Sequence, residues 1–305
     1  MTHKHFLTLF LTLTLTTLAC GLAAPASPSP TPAPVQVTIP APTDLSAGQM
    51  QNAQYQLGAR DDHLLVQLTD GKYQQGTDAT TMDFADAGIT EFISIGDLTG
   101  DGIAEIAAIF FENYGGTGNF GFLAIYTNVN GQPAFLTSTM IDDRPLINSM
   151  SIENGEIYLD AVIHGFEDGG CCPTLQTTQR YALVNNKLRL MNYTTVNPEG
   201  KMRSIEIMSP ADQTQVSEFV QVNGAVSIAP FENNLSYFIY DEAGTQLASG
   251  PVTVTAPDFG APGTFSELIP LAGIPLNTII YLEIQDISAA DGFIQALDVV
   301  KLIVK

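Results

Sequence analysis

Tryptophan is absent from the 305 residues, and basic side chains are scarce. Lys and Arg total 11 against 32 Asp and Glu, a formal charge of -21. Gripping a phosphate backbone requires Lys and Arg, so this balance argues against nucleic acid as a partner. It also disfavours adhesion of the protein surface to anionic lipid. No Walker loop or dinucleotide fingerprint is present. Gly115-Gly116-Thr117-Gly118 has no Lys or Arg close behind it, and reads as a flexible loop rather than a phosphate cradle. Of the four histidines only His63 and His164 lie beyond the first five residues, and neither adjoins a G-x-S-x-G nucleophile motif. Beyond the first twenty residues no run reaches the roughly 20 apolar residues of a membrane helix. Charged residues make up 14% and hydrophobic residues 45%, so the chain is globular rather than disordered.

The first forty residues state a location. Lys4 precedes an uncharged apolar run, Phe6 to Ala19, which ends in Thr17-Leu18-Ala19-Cys20-Gly21. A short basic start, an apolar stretch and small residues before a cut describe an export signal. The Cys at the cut resembles a bacterial lipobox, whose cysteine is lipidated, although Thr17 stands where leucine is usual. The expectation is a signal over residues 1–20 and lipidation at Cys20. A Pro/Ser/Thr-rich tether over residues 21–42 then follows, extended by its prolines. The chain is thus expected in the bacterial cell envelope, outside the cytoplasm and held to the membrane by lipid alone.

From residue 43 the pattern is β. Ser46-Ala47-Gly48-Gln49 predicts a capping box opening a short helix. Strand candidates follow at Leu64–Leu68, Ile89–Ile95, Ile103–Phe111, Phe120–Thr127 and Ala134–Met140. Asp70-Gly71, Asn130-Gly131, Asn154-Gly155 and Asn185-Asn186 are hairpin turns. Residues 43–196 are expected to form one mostly antiparallel β domain. The polar stretch Asn197-Pro198-Glu199-Gly200-Lys201 reads as a linker, which predicts little interface between what it joins. Residues 203–305 hold seven short strands separated by turn residues, the pattern of an immunoglobulin-like β-sandwich. With no tryptophan to fill it, its core is expected from Phe219, Phe231, Phe238, Phe265 and Tyr281. The fold class is therefore all-β, in two domains.

A resemblance becomes specific in this second half. Ile207-Met208-Ser209-Pro210, Val222-Asn223-Gly224-Ala225, Phe231-Glu232-Asn233-Asn234-Leu235, Leu247-Ala248-Ser249-Gly250 and Ala290-Asp291-Gly292 occur in that order. In this it resembles the immunoglobulin-like domain of bacterial spore germination. The resemblance implies an envelope-located module with no catalytic residues of its own.

Two clusters carry candidate chemistry. In Gly96-Asp97-Leu98-Thr99-Gly100-Asp101-Gly102-Ile103-Ala104-Glu105, oxygen ligands fall at EF-hand-like positions: Asp97, Thr99, Asp101, the Ile103 carbonyl and Glu105. Ala108 replaces the closing acid. The ten residues resemble the calcium loops of FG-GAP repeats and dockerins, and Ca2+ is the expected cofactor. The alternative is an Asp-Gly turn with its acids in water. The second cluster runs from His164 through Glu167, Asp168, Cys171 and Cys172 to Pro173. Adjacent cysteines in an oxidising compartment are expected to bond, pinning a tight turn. A soft-metal site using His164 with both thiolates is the alternative reading.

Together these features predict a non-catalytic binding or scaffolding lipoprotein whose partner is a cell-wall glycan, a peptide or an envelope protein. Calcium would then rigidify rather than react. The runner-up is an envelope hydrolase of wall polysaccharide using paired acids such as Asp142-Asp143 or Glu167-Asp168. A redox-responsive Cys171-Cys172 sensor is a third possibility.

Overall fold

The computed structural model describes residues 44–305, so the expected signal, Cys20 and the tether lie outside the described residues. The capping box forms. Gln49 Oε1 accepts from the Ser46 amide at 2.7 Å, and the turn is a 3-10 helix, Ala47–Asn52. Gln49 Nε2 also donates to the Gly131 carbonyl at 2.6 Å, tying this cap to a distant hairpin.

The next strands are β1 (Gln54–Gln56), β2 (Leu65–Gln67), β3 (Lys72–Gln75), β4 (Ala85–Gly96), β5 (Glu105–Asn113), β6 (Phe120–Val129), β7 (Gln132–Asp143), β8 (Leu146–Glu153), β9 (Glu156–Ile163), β10 (Leu175–Val184) and β11 (Lys187–Val196). β1 and β2 form a hairpin, β3 to β7 an antiparallel five-stranded sheet in chain order, and β8 to β11 an antiparallel ladder. The turns match their residues: Asn154 and Gly155 both have positive φ (53° and 81°), as do Asn130 and Gly131 (55° and 80°). Asn and Gly tolerate that region, which the right-handed twist of a two-residue hairpin requires.

β5 explains the layering. Its near-continuous apolar run is buried on both faces. Ile106, Ala108 and Phe110 point into one core with Met50, Tyr55, Leu57 and Leu68. Ala107 and Ile109 point into another, against Ile157, Leu159 and Tyr181 of the β8–β11 ladder. Alternation of side chains across the strand thus makes the five-stranded sheet a middle layer.

The second half contains β12 (Met202–Arg203), β13 (Ile205–Ser209), β14 (Thr214–Val216), β15 (Phe219–Val226), β16 (Asn234–Asp241), β17 (Gln246–Thr255), β18 (Gly263–Pro270), β19 (Ile279–Ile287) and β20 (Ile294–Val304). β13, β15 and β18 pair antiparallel, as do β17, β16, β19 and β20, while β14 adds parallel to β20. β17 pairs with β16 over most of its length and with β18 at Val254–Thr255, passing from one sheet to the other. The immunoglobulin-like sandwich encloses Val222, Leu235, Ile239, Val252, Phe265, Ile269 and Leu282. Gly224 has a packing reason: a Cβ there would lie 2.2 Å from Phe265 and 2.3 Å from the Glu206 carbonyl.

The expected aromatic core is partly corrected. Phe265 and Tyr281 are buried, but Phe219 and Phe231 are exposed. In β15 the inward set is Val220, Val222 and Val226, which places Phe219 on the outer face. In β16 Leu235, Tyr237 and Ile239 point inward, and Phe238 stacks outside on Tyr240. A period of two leaves no freedom: one residue decides the face.

The polar junction does not leave the two halves loosely joined, as its composition predicted. The described residues, 44–305, belong to one compact unit. β11 pairs with β20 through Asn192–Asp298 and Tyr193–Leu297, so one sheet runs through both halves. Met191, Tyr193, Tyr281, Leu297 and Val299 make a core across the seam.

Candidate functional site

The seam concentrates the scarce basic residues. Arg180 meets Glu156 at 2.8 Å and Asp298 at 3.6 Å. Arg189 pairs with Glu283 and lies over the Tyr281 and Tyr240 rings at 4.4 and 5.1 Å. Arg203 pairs with Asp286. Asp298 also accepts from Asn192 Nδ2 at 2.9 Å and from the Ile207 amide at 2.8 Å. Burial pushes the carboxyls of Asp286 and Asp298 up in spite of these partners. The desolvation cost of such pairs offsets much of their attraction, but an unpaired member would be worse.

Beside the seam lies an apolar cavity of about 420 Å³, lined by Leu190 and Tyr193 of β11 and by Asp291, Gly292, Phe293 and Ile294. Phe293 is 58% exposed and Phe166, from the His164–Pro173 loop, 63%. Their rings meet edge to face at 6.0 Å. Both loops are braced. The Ser288 amide donates to the Phe293 carbonyl and the Phe293 amide to Asp291 Oδ1, each at 2.9 Å. Gly292 takes a φ of 79° to close that turn.

The opposite loop is held at three points. Asp142 Oδ2 on β7 accepts from the His164 amide at 2.5 Å and from His164 Nδ1 at 2.8 Å. Asp168 accepts from the amides of Gly165 and Thr174, both at 2.7 Å, and from the Thr174 hydroxyl at 2.8 Å. Cys171 and Cys172 are joined as a vicinal disulfide, so their sulfurs are not thiolates offered to a metal. Below the groove, burial and then the Asp142 charge push the Tyr193 hydroxyl up to about 12, keeping it neutral.

The Asp168 carboxyl is held below its ordinary value of 3.8, first by the Gly165 amide and then by the Thr174 hydroxyl. A depressed carboxyl contributes stability above its unfolded pKa and loses it as pH falls through the folded one. The Gly165 and Thr174 amide resonances are therefore expected to shift together, in a transition whose midpoint lies below the ordinary value of 3.8. A transition at or above that value would contradict the assignment.

The other expected residues have structural partners. Asp97 accepts from the Gly100 and Gly102 amides at 2.7 and 2.9 Å, and these amides hold its carboxyl low. Asp101 accepts from the Ile103 amide at 2.7 Å. Glu105 is buried and accepts from the amides of Leu98 and Thr99 at 2.8 and 3.2 Å. The loop is folded around its own amides, and among the described residues no three ligating side chains converge. Asp97, Asp101 and Glu105 each accept hydrogen bonds from amides of their own loop. The calcium expectation has a direct check: a rise in melting midpoint on adding calcium that Asp101→Ala abolishes would support it, and an unchanged midpoint would support the amide-capped turn.

The paired acids point apart. Asp142 holds His164, Asp143 accepts from the Asn119 amide at 2.7 Å and pairs with Arg144, and Asp168 caps its loop while Glu167 stays exposed. The Gly115 loop is shaped by Asn113, which accepts from the Gly115 amide and donates to the Gly116 and Gly118 carbonyls. The groove residues Leu190, Tyr193, Phe293 and Ile294 had no signal in the chain beyond the turn motif that precedes Phe293. They meet only because β11 pairs with β20.

Residues 204–293 match the immunoglobulin-like domain of bacterial spore germination, and the C-terminal region is such a domain. The match stops at Phe293, so it includes Asp291, Gly292 and Phe293 of the groove and leaves out Ile294, Leu190 and Tyr193. The likeness of the Gly96–Glu105 loop to FG-GAP and dockerin loops has no support beyond those ten residues. No curated protein matches the chain.

Proposed function

We propose that this chain is a non-catalytic binding module of the bacterial envelope, which holds its partner at the groove beside the seam. The observation that carries the reading is the pair of exposed rings, Phe166 and Phe293. They are contributed by different halves of the chain and braced by the Asp168 cap, the disulfide and the Asp291–Phe293 turn. Exposed apolar surface on a braced support marks an interaction site more often than it marks accident. Of the paired acids that the hydrolase reading would use, Asp142, Asp143 and Asp168 are engaged in capping and pairing. Localisation belongs to the same proposal: the export signal and Cys20 deliver the module, and the proline-rich tether stands it off the membrane.

The test is co-sedimentation of residues 42–305 with purified cell wall, with release of soluble fragments assayed in parallel. The expected result is sedimentation without release, reduced at least tenfold in apparent affinity by Phe166→Ser with Phe293→Ser. Binding indifferent to both rings would overturn the site. Release of fragments would overturn the non-catalytic reading.

A further inference from the structure

Among the described residues Cys171 and Cys172 are the only cysteines; they are bonded to each other, and both are exposed. The bond joins neighbours already linked by a peptide bond. It therefore closes the shortest loop a chain allows and takes almost no freedom from the unfolded state. The stabilisation that a long-range disulfide brings is not available to it.

Nor does the bond close the loop that carries it. Asp168 gathers the amides of Gly165 and Thr174, near the two ends of the segment, and Asp142 holds His164. Inside that frame the Cys172 amide donates to the Gly169 carbonyl at 2.9 Å, so the turn around the sulfurs has its own hydrogen bond. Gly169 and Gly170 before the pair and Pro173 after it are turn residues in their own right. The sulfurs are thus accessible, and the fold has other means of holding the segment. Exposed disulfides are the labile ones, whereas structural ones resist reduction by glutathione.

We propose that Cys171–Cys172 is a thiol–disulfide exchange site, which accepts two electrons from a partner dithiol. A thiolate of the dithiol attacks one sulfur. The S–S bond breaks, a mixed disulfide forms, and the other cysteine leaves as a thiolate that takes up a proton. The second thiolate of the dithiol then attacks its own sulfur in the mixed disulfide. The partner's disulfide closes, and the second cysteine leaves and is protonated. The partner is oxidised and the pair becomes two thiols. Charge selects the partner. No Lys or Arg occurs between Arg144 and Arg180, Glu167 and Asp168 lie just before the pair, and the chain carries a formal charge of -21. A dithiol in a basic setting is therefore favoured over an acidic one.

The test equilibrates oxidised residues 42–305 with glutathione buffers, quenches with a maleimide and weighs the protein. Reversible double labelling without denaturant is expected by about 10 mM reduced glutathione. The oxidised and reduced forms are expected to melt within about 3 °C of each other. Cysteamine is expected to react about threefold or more faster than 3-mercaptopropionate at low salt, the gap closing in about 1 M salt. Cys171→Ser with Cys172→Ser is expected to take no label and to melt like the parent. The reduction arm keeps the test valid if that variant misfolds. A pair that stays oxidised in glutathione, or labels only in urea, would overturn the proposal. A larger fall in melting midpoint on reduction would do the same, because the bond would then be a structural clamp. Equal rates for the two thiols would overturn the selection by charge.

Discussion

Replacing Arg189 with alanine is expected to destabilise the protein by about 3 to 5 kcal/mol, the cost of stranding one member of a buried ion pair. The side chains of Arg189 and Glu283 are only 14% and 12% exposed. Without the guanidinium, Glu283 keeps the hydrogen bond from Gln285 Nε2, at 2.9 Å, but no opposite charge beside it. The rings of Tyr281 and Tyr240 lose the cation that lies over them. At about 2 to 4 °C per kcal/mol for a chain of this size, the melting midpoint should fall by roughly 6 to 20 °C. Lysine is not an adequate replacement, because it lacks the planar group that both pairs and stacks. Arg189→Met combined with Glu283→Leu is expected to recover much of the loss, since removing both charges also removes both desolvation costs. Thermal unfolding of the two single variants and the double variant measures the coupling directly. Additive losses would show that the pair does not act as one.

Glu112→Ala is expected to cost as much, about 3 to 5 kcal/mol, for a different reason. Glu112 is fully buried on β5, and its carboxylate accepts four donors. Tyr55 Oη at 2.5 Å and the Gly58 amide at 2.7 Å meet one oxygen; the Ala59 amide at 3.0 Å and Tyr114 Oη at 2.6 Å meet the other. Burial, reinforced by this carboxylate, holds both tyrosine hydroxyls far above their ordinary values, so they stay protonated as donors. Alanine would strand all four donors and release the Leu57–Leu64 loop from the sheet. Glu112→Gln keeps the shape but turns an NH2 toward donors, and an intermediate loss is expected. Urea unfolding with an unchanged m-value is the readout; a loss below about 1 kcal/mol for alanine would mean the cluster is not a structural anchor.

The strands of the second half were legible because each is a short alternating run closed by turn residues. Phe219–Val226 and Gln246–Thr255 have the same ends in sequence and structure. The hairpins were legible for the same reason, as Asn154-Gly155 has few other conformations to adopt. What the chain did not display is which face an aromatic takes. Phe219 and Val220 are equally apolar, and only the pairing of β15 with β18 settles that the valine goes in. The Asp-Gly loop advertised a sharp turn correctly, but spacing alone does not say whether its carboxylates face a cation or the loop's own amides. The groove was the least legible feature. Asn192 and Asp298 are 106 residues apart, and no local pattern announces that their strands pair. The junction Asn197–Lys201 has the composition of a linker, yet the Asn197 amide donates to the Lys201 carbonyl and β12 returns to β11, so it acts as a tight turn.

The groove exists only while Leu190 and Tyr193 of one half stay beside Phe293 and Ile294 of the other. Backbone amide relaxation of residues 42–305 measures this without reference to any ligand. A single rotational correlation time shared by β5–β10 and by β15–β19 is the expected result, because one continuous sheet and the Arg180–Asp298 and Arg189–Glu283 pairs make the halves turn as one body. Two distinct correlation times, each suited to a domain of half the size, would contradict it: the seam would then be a hinge, and the aromatic groove would not persist as a site.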